Sequence, residues 1–287
     1  MTPPRNLSGG AWQLADMSLN IWALVIVKSV GLDVPAAQLV FLRALTGLVL
    51  ILPWIWVARD RFRGLDDLPL HVLRVGLSAV TLTASFFAVA RLPLALFSAI
   101  QFTRPVVTMI LATFILRELI PRRRWLAAAA ALAGAAIAIG PTGAEWSWGL
   151  PAAGLVVLSG TGAIIVTRRL SAAPRVVMMT FYTAGLAVCT APFAIAGWVS
   201  VPAAIWPALL AIGIFAQTAQ FCFLAAHSRA EAGFLSVLGY LSLPLTTSIG
   251  FLIFGEVPEP RFYLGAALIL GSALAVAARP RTLRQRV

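Results

Sequence analysis

Ten apolar runs of about 20 residues follow one another along this 287-residue chain, parted by short breaks rich in Arg, Pro and Gly. As helices, runs of that length span the hydrocarbon of a bilayer at about 1.5 Å per residue. The expected spans are 12–30, 37–58, 71–90, 93–116, 124–140, 149–167, 175–197, 203–226, 231–254 and 262–279. Composition excludes a water-soluble fold: 60% of residues are hydrophobic, 11% are charged and mean hydropathy is +0.93. Too few polar residues exist to cover so much apolar surface. The same figures exclude disorder. Cys189 and Cys222 both sit inside apolar runs, which excludes a secreted disulfide scaffold. Met1 to Gly10 is short and polar and leads into a run too long for a signal-peptide core, so that run reads as the first membrane helix.

The net charge is +12. Basic stripes interleaved with aromatics, which a nucleic-acid groove needs, are missing, so no nucleic-acid partner is expected. The cations gather instead in alternate breaks, as at Arg59–Arg63, Arg122–Arg124 and Arg168–Arg169. With the N-terminus in the cytoplasm, nearly all cations fall on the cytoplasmic side. Lys28, Arg91 and Arg261 fall outside, and Arg43 and Arg104 fall within spans. This bias predicts ten spans with both termini inside.

Sliding the sequence by 138 residues superposes Arg91 on Arg229, Ser98 on Ser236, Thr108 on Thr246, Glu118 on Glu256 and Trp125 on Tyr263. A shift of 139 superposes Pro35 on Pro174 and Pro53 on Pro192. Each copy holds five spans, an odd number, so the second is inverted in the membrane. Inverted repeats are an architecture of secondary transporters, with substrate sites near the bilayer midplane.

The first copy carries Lys28, Phe41-Leu42-Arg43, Leu73-Arg74, Arg91-Leu92-Pro93, Pro105, Arg117-Glu118 and Arg123-Arg124-Trp125, then a small-residue run through Gly134 to Pro141. The second carries Phe254-Gly255-Glu256 and Leu264-Gly265-Ala266-Ala267. This pattern resembles the EamA domain of the drug/metabolite transporter superfamily, with the YddG-like amino-acid exporters as the nearest match. The resemblance implies an all-α integral membrane protein of a bacterial inner membrane, built from two inverted five-helix repeats, 11–140 and 149–279. A basic cytoplasmic tail, 280–287, follows. It implies alternating-access export of small amphipathic metabolites, aromatic and apolar amino acids first, without ATP or another cofactor. S-adenosylmethionine, riboflavin, nucleosides and drugs are alternative cargoes within the same frame.

Polar residues inside the spans mark the expected pathway. Phe97, Gln101, Arg104 and Thr108 share one helical face. Leu235, Gly239, Ser242 and Thr246 form the repeat-related face, and Phe102 is matched by Tyr240. Such faces are costly against lipid and should point inward. The expected substrate-binding residues are therefore Arg104, Gln101, Phe97, Phe102, Thr108, Tyr240, Ser242 and Asn20. Arg104, about mid-span, suits bidentate capture of a carboxylate; a structural acid is the rival partner. Trp12, Asp16 and Asn20 share a face of the first span. Asp16 is either a proton-coupling carboxylate or a helix-start cap. Gln217 and Gln220, with Ser78, Thr81 and Ser85, are weaker lining candidates.

Pro105 and Pro244 are expected to kink their helices, as hinges or as static bends. Arg43, Glu118 and Glu256 read as structural motif residues, the two glutamates pairing with Arg123 and Arg261. Small residues along the fifth and tenth spans allow close helix packing and equally suit a homodimer contact. An enzyme is not expected. The chain has two histidines, no HExxH and no GxSxG, so neither a metal site nor a catalytic residue is assigned. A channel would show a filter or charged ring.

Overall fold

The computed structural model describes residues 6–62, 67–104, 107, 122–139, 147–170, 173–227, 229, 238–239 and 241–277. Among them ten α-helices stand in order: α1 (Asn6–Val30), α2 (Ala36–Val57), α3 (Leu68–Val89), α4 (Leu94–Gln101) and α5 (Arg122–Ile139) come first. Then follow α6 (Gly149–Arg169), α7 (Arg175–Ala196), α8 (Trp206–His227), α9 (Ser242–Phe254) and α10 (Pro260–Ala277). Of these, α1, α2, α3, α6, α7 and α8 are long and apolar enough to cross a membrane. Pro105, Thr108, Glu118, Tyr240 and the 280–287 tail lie outside the described residues.

Three boundaries differ from expectation. The first described residue, Asn6, is already helical, so α1 starts well before residue 12. α4 ends at Gln101, with a turn at Phe102–Thr103 before the backbone is helical again at Arg104. Pro244 does not bend a continuous helix: it stands in the first turn of α9, where a missing N–H costs no intrahelical bond. Arg74 stands near the start of the expected third span. It lies within α3 and is buried.

The repeat is visible in backbone geometry. α2 and α7 each run 22 residues. Pro35 (φ −56°, ψ 139°) and Pro174 (φ −58°, ψ 138°) open them in the same conformation. Pro53 and Pro192 lie inside them, and Ala58 (φ −101°, ψ 18°) and Gly197 (φ −108°, ψ 26°) close them alike.

The compact units nevertheless cut across the repeats. One unit is Met1–Leu92 with Ser147–Ala230; the other is Pro93–Trp146 with Glu231–Val287. Each repeat contributes its first three helices to the former and its last two to the latter. In the six-helix unit, α1 packs on α8, α2 on α7 and α8, and α3 on α6 and α7. Its core gathers Val27, Val40, Leu42, Phe86, Leu186 and Ile212. Gln38, fully buried, ties α2 to the chain after α7 by two bonds with Val199: Nε2 donates to its carbonyl (2.9 Å) and Oε1 accepts from its N–H (3.0 Å).

In the four-helix unit, α5 packs on α10 and α4 on α9. Its core holds Ala95, Ala99, Ala138, Leu243, Phe262 and Ile269. α5 and α10 meet through Gly134 and Gly265. A Cβ on Gly134 would stand 2.7 Å from the Gly265 carbonyl oxygen, closer than real side chains come. Glycine is thus required on both sides for backbones to approach this closely.

Candidate functional site

Within the six-helix unit, polar side chains gather at mid-helix. Gly47 is the twelfth residue of 22 in α2, and Gln217 is the twelfth of 22 in α8. A Cβ on Gly47 would lie 2.8 Å from Gln217 Oε1 and 3.0 Å from Thr183 Cγ2, so these three residues touch. The Thr183 hydroxyl donates to Met179 O (2.9 Å) and reaches Gln217 Oε1 at 3.4 Å. Gln217 Nε2 is left buried with no partner. Thr180, one turn from Thr183 on α7, also has a buried hydroxyl with no partner. Arg43 stands one turn from Gly47 on the same face of α2. It is 9% exposed, and its Nη1 is buried and unbonded.

α1 adds an acid. Asp16 is 7% exposed and lies ten residues beyond Asn6, about 15 Å along the helix. That depth removes the helix-start cap as its role, because capping acts within the first turn. Asn20 Nδ2 donates to Asp16 Oδ1 at 2.7 Å, and Gln13 Nε2 approaches Oδ2 at 3.5 Å. Asn20 therefore orients Asp16. The face shared by Trp12, Asp16 and Asn20 turns towards α8: the Trp12 ring meets Phe221 edge-on at 6.0 Å, with the Arg229 guanidinium 5.5 Å from it.

Arg74 gives the contrasting buried cation. Its Nε donates to Thr167 Oγ1 (2.8 Å), its Nη1 donates to Met178 O (3.1 Å), and the guanidinium lies 5.6 Å from the Tyr182 ring. It clamps α3 to α6 and α7. Beside it, His71 is 1% exposed and stacks on Phe181 at 4.7 Å. Thr81 Oγ1 bonds Ser159 Oγ at 2.8 Å, a further α3–α6 link. Two of the weaker lining candidates thus have defined structural partners: Ser78 donates to Arg74 O, and Thr81 joins Ser159.

The same unit has a cavity of about 280 Å³ among Gly31, Pro35, Leu39, Phe86, Phe87 and Arg91. It lies at the helix ends. Arg91 covers the Phe87 ring at 3.5 Å.

The four-helix unit holds the remaining described candidates. Phe97 is buried, and Phe102 packs against the core of Ala99, Leu243 and Phe262. Both atoms of the Gln101 amide are buried without partners. Ser242 donates to Gly239 O at the start of α9. Glu256 has a definite structural task. Gly255, at φ +63°, turns the chain out of α9. Glu256 then folds back over Gly250, where a Cβ would stand 2.6 Å from its Oε2. The carboxylate accepts the Leu94 N–H (2.9 Å), an orphan donor of the first turn of α4. The carboxylate paired with Arg261 is that of Glu259, at 2.6 Å.

The expected substrate-binding set is therefore divided. Asn20 belongs to one unit, with the coupling candidate Asp16; Phe97, Gln101, Phe102, Arg104 and Ser242 belong to the other. Gly47, Thr180 and Thr183 were missing from it, since small and hydroxyl residues in apolar runs carry no distinctive signal. Arg43 and Gln217 were visible, but with nothing in the sequence to bring them to one place.

Residues 15–140 and 147–278 each match the EamA-like transporter family. A riboflavin transporter of Brucella anthropi is 28% identical over 257 residues, covering 84% of this chain and 87% of that protein. The pseudopaline exporter CntI of Pseudomonas aeruginosa is 28% identical over 258 residues, covering 88% and 89%. An S-adenosylmethionine uptake transporter of Rickettsia felis is 23% identical over 269 residues, covering 93% and 92%. None of these three supports the expected nearness to a YddG-like amino-acid exporter. A solved crystal structure shares the fold, with TM-score 0.67 at 21% identity over 94% of this chain and 96% of that one.

Proposed function

The chain belongs to the EamA-like transporter family, a multi-pass membrane transporter of small molecules rather than an enzyme, and from that premise we propose a carrier of metabolites with a polar head and an apolar body. The observation that carries this reading is the mid-helix burial of Asp16, Gly47, Thr183 and Gln217 in membrane-length helices. Polar groups at that depth are costly and mark substrate or ion pathways. Apolar and aromatic amino acids are the simplest cargo with this chemistry, and S-adenosylmethionine carries the same amino-acid head.

Both termini lie in the cytoplasm in this reading, and the protein sits in a bacterial inner membrane. It works by alternating access. Asp16 is the coupling carboxylate, held by Asn20. In the four-helix unit Arg104 and Gln101 contact the cargo, with Phe97, Phe102 and Ser242 beside them; the unpartnered Gln101 amide supports this assignment. Thr108 and Tyr240 complete it by sequence position. Pro105 and Pro244 flex, the latter at a helix start.

The test is uptake into proteoliposomes holding the purified protein, with and without a pH gradient. Labelled phenylalanine, leucine, methionine, S-adenosylmethionine and riboflavin form the panel. Saturable uptake that unlabelled compound competes away sustains the carrier and identifies its cargo. No competed uptake of any member overturns the cargo class proposed here.

A further inference from the structure

We propose that the cavity at the ends of α1, α2 and α3 binds an anionic phospholipid, with an acyl chain inside it and the phosphate on Arg91. Three membrane-length helices stop or start around this cavity: Gly31 follows α1, Pro35 precedes α2 and Arg91 follows α3. Helix ends mark the depth at which hydrocarbon gives way to headgroups. The cavity walls are apolar, with Leu39 and Phe86 buried and Phe87 half-buried. Arg91 is the one charged residue that lines it. Its volume of about 280 Å³ is near the lower edge for small-molecule sites, about 300 Å³. That is room for a segment of one chain.

The charge around the cavity is unbalanced. Arg91 is exposed, with its guanidinium 3.5 Å over the Phe87 ring and its Nη1 donating to Phe87 O at 3.1 Å. These contacts hold the side chain against the cavity wall and leave most of its N–H donors unused. It forms no ion pair with any described residue. Lys28 adds a second cation: its Nζ donates at 2.7 Å to the carbonyl of Leu92, the residue after Arg91. Asp33, exposed in the turn between α1 and α2, does not line the cavity. Leu32 does, and at 62% exposure it carries the apolar wall outward. A phosphodiester offers two oxygens to the guanidinium fork. A small soluble anion would use the fork and waste the walls. A neutral apolar molecule would do the reverse. A zwitterionic headgroup brings a cation of its own towards Lys28 and gains less. The bilayer itself supplies, at this depth, a molecule with both an apolar chain and a net anionic head, and basic pockets between membrane helices hold such headgroups.

The site does not depend on which cargo is carried, so it is tested without transport. Full-length protein in detergent is melted with increasing mole fractions of dioleoylphosphatidylglycerol or dioleoylphosphatidylcholine. Phosphatidylglycerol should raise the midpoint saturably, and phosphatidylcholine much less. Arg91→Gln should raise the half-saturating mole fraction about fivefold, the worth of one basic residue beside an anionic headgroup, and Arg91→Lys should restore most of the affinity. Ala36→Leu and Ala90→Leu, which narrow the cavity, should each weaken binding as well. Arg61→Gln removes an exposed cation far along the chain and should change nothing, which separates the site from general attraction to the bilayer. An equal response to both lipids overturns the proposal, as does a response that survives in Arg91→Gln and in both cavity variants. A midpoint raised as far by glycerol 1-phosphate, which has no chain, overturns the lipid in favour of a free anion. Displacement of phosphatidylglycerol by 3-phenylpropionate overturns it in favour of a small carboxylate. Failure of both Arg91→Gln and Arg91→Lys to fold overturns it in favour of a structural arginine.

Discussion

The same substitution at two buried arginines should have opposite effects on stability. Arg74→Met removes two hydrogen bonds from a charged donor, worth roughly 1.5–3 kcal/mol each. It also removes a ring contact worth about 0.5–2 kcal/mol. Relief of the buried charge returns several kcal/mol. The acceptors are not orphaned: the Thr167 hydroxyl still donates to Ala163 O, and the Met178 carbonyl lies inside α7. The net expectation is a loss of about 1–3 kcal/mol. Arg43→Met sacrifices no bond to the described residues and gains the same relief, so it should be neutral or stabilising by about 1–2 kcal/mol. A gap of about 3 kcal/mol separates the variants. For a chain of this length that is several degrees, at roughly 2 °C per kcal/mol. Thermal unfolding in one detergent at one pH, without ligand, reads it through the nine tryptophans. Equal losses in both variants would refute the reasoning, because bonded and unbonded guanidinium groups would then be energetically alike.

Other expectations follow from single contacts. Gly265→Leu should separate α5 from α10 and abolish the monodisperse folded peak on size exclusion, whereas Gly271→Ala, which has open space, should leave it intact. Glu256→Ala should cost about 1–2 kcal/mol in thermal unfolding by uncapping Leu94, and Glu256→Gln, which keeps an acceptor, should recover most of it. Asp16→Asn should fold normally but make proteoliposome uptake indifferent to a pH gradient; unchanged gradient dependence would remove Asp16 from coupling. Arg104→Ala should lower uptake of carboxylate cargo with folding preserved, and unaltered uptake would exclude it from the pathway.

The sequence determined whatever depends on composition and on neighbours along the chain. Apolar runs located most helices, because length and hydropathy alone decide what a bilayer accepts. Pro35 and Pro174 announced a duplicated helix start, because proline fixes φ wherever it stands. The sequence also exposed Asp16, Arg43 and Gln217 as polar residues out of place. It did not divide the chain into units, since the first three helices of each repeat join each other through packing that no local pattern encodes. It was silent on the task of Arg74, whose three partners stand on α6 and α7. Gly47 was silent for the same reason: a glycine matters only when something stands against it, and Gln217 lies 170 residues away. Which polar groups are satisfied and which wait for a ligand is a property of helices brought side by side, and only the tertiary structure decides it.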